Sequence, residues 1–336
     1  MVVNKSLWVI GENRDYTVID GNGTGRFVVC IAANNVYVSG FTIRNASLSE
    51  FTWGGIFVDH SSYCSIKANI IASNGGLGGI FLNESNHCSI EGNIIKSNNC
   101  DGIAMMNSSK NTISNNQTSN NGNGPPGLIY GEGIALGYSS NNIINNNLLS
   151  NNVGGVSLYS SHNNIIDNST ITKNLGGLEI SHSGGNIISN NAVISNNSSG
   201  IYFWGSLNNT VKNNHILNNG ASGVAVILGC KSNVIDGNVV SRNIGGISIS
   251  DLCPNNIIVR NNVSNNKYGI PIHFSNGSII YHNNFINNTI NFEIDVYPNV
   301  NIWDDSYEGN YWSNYTGVDA DQDGIGDTPH VLDIRN

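Results

Sequence analysis

The segment 318–329, VDADQDGIGDTP, sets Asp319, Asp321 and Asp323 at alternate positions, follows them with Gly324 and Ile325, and adds Asp327. That order matches positions 1, 3, 5, 7 and 9 of a calcium loop, with the Ile325 carbonyl as a ligand and Gly324 at the sharp turn. Position 12 holds His330 where an EF-hand needs a bidentate glutamate, so the segment predicts a structural half-site rather than an EF-hand. Clustered carboxylates repel one another unless a cation sits among them, and calcium is the expected cofactor.

A second set of reactive types is spread along the chain: the carboxylates Asp59, Glu84 and Glu179, the imidazole of His182, and the rings of Tyr138, Tyr159, Tyr202 and Trp204. Two carboxyl groups roughly 5–9.5 Å apart can cleave a glycosidic bond. Rings beside carboxylate and imidazole suit a sugar chain, because pyranose C–H faces stack on them while polar groups fix the hydroxyls. Residues so distant in sequence act together only if the fold stacks them.

The repeat supplies that stacking. A glycine followed by an aliphatic residue opens GIFVDHSSYCSIKANIIASN at Gly55, GIFLNESNHCSIEGNIIKSN at Gly79 and GIAMMNSSKNTISNNQTSNN at Gly102, and recurs at Gly133, Gly155, Gly177, Gly200, Gly223, Gly246 and Gly269. The spacing is 22–24 residues except between Gly102 and Gly133, where an insertion near 121–130, NGNGPPGLIY, lengthens one copy. So regular a period means a solenoid. A leucine-rich repeat would need a leucine column and a helical segment, whereas these columns are Ile and Val separated by Asn, Ser and Gly, which makes short strands joined by turns. The pattern predicts an all-β, right-handed parallel β-helix of about twelve coils, each about 4.8 Å above the last. Residues 1–54 are expected to form opening coils, 55–288 the ten-repeat helix, and 289–336, rich in Trp and Tyr, an irregular C-terminal cap that covers the open sheet edges.

Within a repeat the first and third residues after the glycine are expected to point inward, as Ile56 and Val58 do, and the second, fourth and fifth outward. Up the axis the outward columns bring Tyr138, Tyr159, Glu179, His182, Tyr202 and Trp204 onto one face. Asp59 and Glu84 fall in adjacent coils and form the nearest carboxylate pair. None of the three columns carries Lys or Arg. Asparagines at the turns (Asn69, Asn93, Asn116, Asn147, Asn191, Asn214, Asn238, Asn262 and Asn284, with Asn74, Asn98, Asn174 and Asn243 at repeat ends) are expected to stack as scaffold ladders. Cys64 with Cys88, and Cys230 with Cys253, occupy equivalent positions of neighbouring coils, which leaves open a disulfide or a pair of stacked thiols.

Composition bounds the partners. With 14 basic against 23 acidic residues and a net charge of −9, nucleic acid is not an expected partner. No apolar run is long enough to span a membrane. The 8 histidines and 3 methionines show no convergent soft-metal set, so a copper-binding role is not expected from the residues. The opening residues lack a secretory signal, and the chain is expected to be a trimmed stretch of a surface protein, monomeric or part of a larger assembly.

With repeat, cap and Asp-rich loop taken together, the chain resembles the NosD-like right-handed β-helix repeat proteins, whose repeats are also described as carbohydrate-binding and sugar-hydrolase domains. VVNKSLWVIGENRDYTVIDGNGTG is similar to that family's opening coils, and GNYWSNYTGVDADQDGIGDTPHVLD to the ending of archaeal cell-surface members. The resemblance implies an extracellular or cell-surface protein whose partner is a polysaccharide or surface glycan. The leading expectation is carbohydrate binding through Tyr138, Tyr159, Glu179, His182, Tyr202 and Trp204. A polysaccharide lyase or glycoside hydrolase using Glu179, His182, Asp59 or Glu84 is the second, and a structural cell-envelope spacer the third.

Overall fold

A computed structural model describes residues 1–48, 52–122, 131–294, 300–318, 320 and 328. The chain winds into a right-handed parallel β-helix of about twelve coils with no α-helix among the described residues. Each coil contributes one strand to each of three parallel sheets, of 13, 12 and 13 strands. Strands of the first, Gly-led sheet mostly run six residues, as in Gly54–Asp59 and Gly78–Asn83, while those of the other two run three. Neighbouring coils pair in strict phase: Ile80 lies between Ile56 and Ile103, and Leu82 between Val58 and Met105. An in-phase stack keeps each aliphatic column over itself, so one continuous core fills the tube.

That core is dry. Ile56, Val58, Ile80, Leu82, Ile134, Leu158, Ile180 and Phe203 have 0–2% of their surface exposed, and Met105 points in while Met106 points out, as alternation requires. The glycine before the first inward residue is also interior. A Cβ on Gly55 would fall 2.8 Å from the Ile71 side chain and from the Asn74 amide, so only glycine fits this corner.

Corners explain the composition. Four residues per coil take left-handed backbone, for example His60, Tyr63, Ala68 and Ser73, then Asn107, Lys110, Asn115 and Asn120, then Tyr138, Asn141, Asn146 and Asn151. Asparagine adopts that conformation at low cost. At the adjoining buried corners, asparagine amides form ladders along the axis. Asn93 Oδ1 accepts from the backbone N–H of Asn69 and from its Nδ2, and Asn93 repeats the pattern on Asn116. Turn amides that no strand partners are thereby satisfied.

The ladders depart from expectation in two ways. In the last coils the column runs through Asn261 and Asn283, whereas Asn262 and Asn284, the second members of Asn-Asn pairs, lie on strands. A further ladder, Asn111, Asn142, Asn164, Asn186, Asn209, Asn233 and Asn256, lines a third corner.

Cys88, Cys230 and Cys253 join such corner ladders as thiols. Cys88 donates its N–H to Asn111 Oδ1 and so sits at the foot of the third asparagine ladder. Cys230 and Cys253 stand in a serine column: the N–H of Ser206 donates to Cys230 Sγ at 3.2 Å, that of Cys230 to Cys253 Sγ at 3.2 Å, and that of Cys253 to Ser275 Oγ at 3.1 Å. A thiol occupies a hydroxyl's place without breaking the chain of bonds.

At the C-terminal end Ile290–Ile294 adds a strand to the Gly-led sheet and Tyr311–Trp312 adds one to the third sheet. Trp312 stacks on Phe285 at 4.5 Å and is buried.

Candidate functional site

The Gly-led sheet presents its outward columns along the length of the tube. Two of them matter most: the residue just before the repeat glycine, and the second residue after it. Around the fourth to seventh repeat the first column runs Glu132, Gly154, Gly176, Ser199 and the second runs Ala135, Ser157, Glu179, Tyr202. Two successive glycines remove side chains from the face and leave a trough. A Cβ on Gly176 would meet nothing within 4 Å, and one on Gly154 would lie 3.1 Å from Glu132 Cγ. The resulting cavity of about 280 Å³ is lined by Glu132, Gly154, Ser157, Gly176, Glu179, Ser199 and Tyr202, with Val153, Leu175 and Ser198 along the edge.

The trough is acidic by construction. Asp101 occupies the column below Glu132, fully enclosed, with its Oδ1 accepting from the Glu132 N–H at 3.0 Å. Burial, then the Glu132 charge and a hydrogen bond to its carboxyl, raise the Asp101 pKa well above its ordinary value, which favours the protonated form. Glu132 Oε2 also accepts from the Gly131 N–H at 3.0 Å. Glu179, at the opposite wall, is raised by desolvation and by Glu132. The Tyr202 phenol is raised by burial and then by Glu179.

An aromatic strip runs beside the trough. Tyr138 meets Tyr159 edge-on at 5.6 Å, Tyr159 meets His182 at 5.9 Å, and Tyr202 leans on Trp204 at 6.3 Å. Tyr138, Tyr159 and Trp204 remain 54%, 47% and 42% exposed. Tyr202 belongs to both strip and trough. The left-handed backbone of Tyr138 and His182 is shared by His60, Glu84 and Phe274 at the same repeat position, so it comes from the corner and not from the site.

The structure thus brings Tyr138, Tyr159, Glu179, His182, Tyr202 and Trp204 together and separates Asp59 and Glu84 from them. His60 lies between those two acids, Nδ1 2.8 Å from Asp59 and Nε2 3.3 Å from Glu84, and the Asp59 hydrogen bond leads in raising its pKa. They form an exposed ion cluster near the N-terminal end. Asp319, Asp321, Asp323, Ile325 and Asp327 lie outside the described residues, as does the insertion from 123 to 130. Asp101 and Glu132 escaped the sequence reading because the columns were started after the glycine. Their signal was present: where the other repeats open with Gly-Gly, Ser-Gly or Tyr-Gly, the two copies flanking the insertion carry an acid, Asp-Gly and Glu-Gly.

Fold and trough define a solenoid with an open, acid-lined hollow on its Gly-led face. The chain belongs to the NosD-like right-handed parallel β-helix repeat family: residues 6–126 match the model described as periplasmic copper-binding protein (NosD), and 132–290 the model described as right handed beta helix region. No curated protein matches it in sequence. Among solved structures, the A-module of a mannuronan C-5 epimerase from Azotobacter vinelandii is similar at a TM-score of 0.67 and 15% identity over 90% of this chain and 85% of that one. The tailspike protein of E. coli bacteriophage HK620 in complex with pentasaccharide reaches 0.69 at 12% identity, over 84% of this chain and 60% of that one. DFA-IIIase from Arthrobacter chlorophenolicus A6 in complex with GF2 reaches 0.63 at 11%, over 85% and 89%. At these identities the likeness is one of fold.

The donor set does not fit the copper of the family description. Among the described residues no three His, Cys, Asp or Glu side chains converge to hold a metal. The nearest gatherings are His60 with Asp59 and Glu84, and His282 within 3.4 Å of Asp305 and Glu308. Those are single imidazoles among hard oxygens, while copper favours several imidazole, thiolate or thioether donors.

Proposed function

We propose that the protein binds carbohydrate, with a glycan chain lying along the Gly-led sheet and one sugar seated over Gly154 and Gly176. The observation that carries this reading is the trough itself, an open cavity of about 280 Å³ beside exposed rings. Hydroxyls would be held by Glu132, Ser157, Glu179 and Ser199, and neighbouring rings of the chain would stack on Tyr202, Trp204 and Tyr159. Support comes from similar folds described in complex with a pentasaccharide and with GF2. The family description as periplasmic supports action outside the cytoplasm. Calcium at Asp319, Asp321, Asp323, Ile325 and Asp327 is proposed on residue spacing alone, as a stiffener of the tail.

Affinity electrophoresis in gels containing single polysaccharides tests the binding. The wild type is expected to be retarded by at least one, and Tyr202→Ala with Trp204→Ala to run freely. A wild type unretarded across glucans, mannans, xylans, galactans and chitin derivatives would rule the reading out.

A further inference from the structure

We propose that Glu132 and Glu179 form a hydrolytic acid–base pair that cleaves a glycosidic bond of an uncharged glycan in the trough, with Asp101 as a positioning residue. This rests on the carbohydrate-binding reading and adds chemistry and a substrate class to it.

Geometry carries the assignment. Glu132 and Glu179 rise from strands two coils apart, about 10 Å along the axis, and the coil between them contributes Gly154 and Ser157. Glu132 leans over Gly154, and the two acids line one cavity from columns three residues apart along the strand. A sugar seated on the glycine floor has one carboxyl group on either side. Asp101, enclosed beneath Glu132, is bonded to its backbone and carboxyl and fixes its direction.

Glu179 keeps an exposed surface on the open trough, is raised by desolvation and then by Glu132, and donates its proton to the glycosidic oxygen. The bond from C1 to that oxygen breaks, with the electron pair going to the oxygen. The Glu132 carboxylate takes a proton from a water molecule as the water oxygen bonds to C1. One water is consumed, a hemiacetal at C1 and an alcohol are formed, and exchange with solvent returns the proton from Glu132 to Glu179. Anchors two coils apart favour the wider separation used for inversion at C1.

Charge selects the substrate. Removing a proton beside a uronate carboxyl needs a cation to stabilise the enolate-like intermediate. The outward columns carry no Lys or Arg, and Glu132, Glu179 and Asp251 would repel a polyuronate. Elimination and epimerisation of uronates are therefore disfavoured here, whatever the fold shares with an epimerase.

The test incubates the full chain with neutral polysaccharides and with alginate and polygalacturonate, following new reducing ends, unsaturated products and, on affinity gels, binding. Reducing ends from a neutral glycan are expected, with inversion by NMR, and a loss of about 100-fold or more in Glu179→Gln and in Glu132→Gln while both variants still bind. Asp101→Asn should lower turnover by less than either Glu→Gln change and alter the pH profile, which a merely structural role would not do. Binding without cleavage by the wild type overturns hydrolysis and leaves the binding reading intact. Binding to no glycan overturns both. Cleavage of polyuronates alone, or retention at C1, overturns the roles assigned here.

Discussion

One sheet face serves two ends within the same molecule. Near the N-terminus the outward column holds Phe57 and Phe81, which stack at 5.5 Å, with Trp53 laid over them at 5.1 and 5.9 Å. Phe27 joins at 6.4 Å. Although they point away from the tube, Phe57 and Phe81 are only 7% and 5% exposed, so this end carries a second small core outside the first. Three to five coils beyond Phe57, the outward columns hold Glu132, Gly154, Gly176 and Glu179, and the face is hollow. The backbone register is alike in both places. What differs is side-chain volume, and whether a ring from outside the repeat covers the column. A β-helix makes a site by leaving out what it uses elsewhere to seal itself.

The contrast can be broken from the sealed side first. Trp53→Ala strips the lid from Phe57 and Phe81 and should cost about 2–3 kcal/mol by chemical denaturation, with increased binding of a hydrophobic dye and unchanged glycan retardation. A variant that unfolds normally would show the lid to be ornamental.

A smaller effect is expected at the trough. Because the folded-state pKa of Asp101 is raised, its contribution is fully present below the unfolded value of about 3.9 and is lost as pH rises through the raised value. Asp101→Asn should remove that loss, so mutant and wild-type melting temperatures diverge as pH rises above the unfolded value. The opposite sign holds at the exposed Asp20, lowered to about 2 first by the Asn22 N–H and then by Asn45 and Arg44: its contribution is present above the unfolded value and fades as pH falls through about 2.

The smallest effect belongs to the ladders. Cys230→Ser restores the residue type its column carries at Ser206 and Ser275, so stability should change by less than about 0.5 kcal/mol. Reducing agent should leave the melting curve of the wild type where it is, whereas a lowered midpoint would point to disulfides.

Much of this was legible in the sequence. The repeat glycine and alternating aliphatic residues fixed the coil, because a period maintained over ten copies leaves one way to stack Ile56, Ile80 and Ile103. Aromatic and acidic members of the outward columns after the glycine were placed correctly for the same reason. The sealed patch was not legible: Trp53 precedes its repeat glycine, and no periodicity says where it folds. Nor was the trough, since a cavity made by glycine has no side chain to read. Asp101 and Glu132 were visible only as departures from Gly-Gly, and Asn262 stood in for Asn261 because a one-residue shift moves an amide from corner to strand.

The central claim is that the glycine floor is where sugar sits. Gly176 has ordinary backbone and open space above it, so Gly176→Trp fills the trough without disturbing the core. Calorimetric titration of wild type and this variant with the retarding glycan is predicted to show binding weakened about 100-fold or more, at an unchanged melting temperature. Equal affinity in the two proteins would contradict the account.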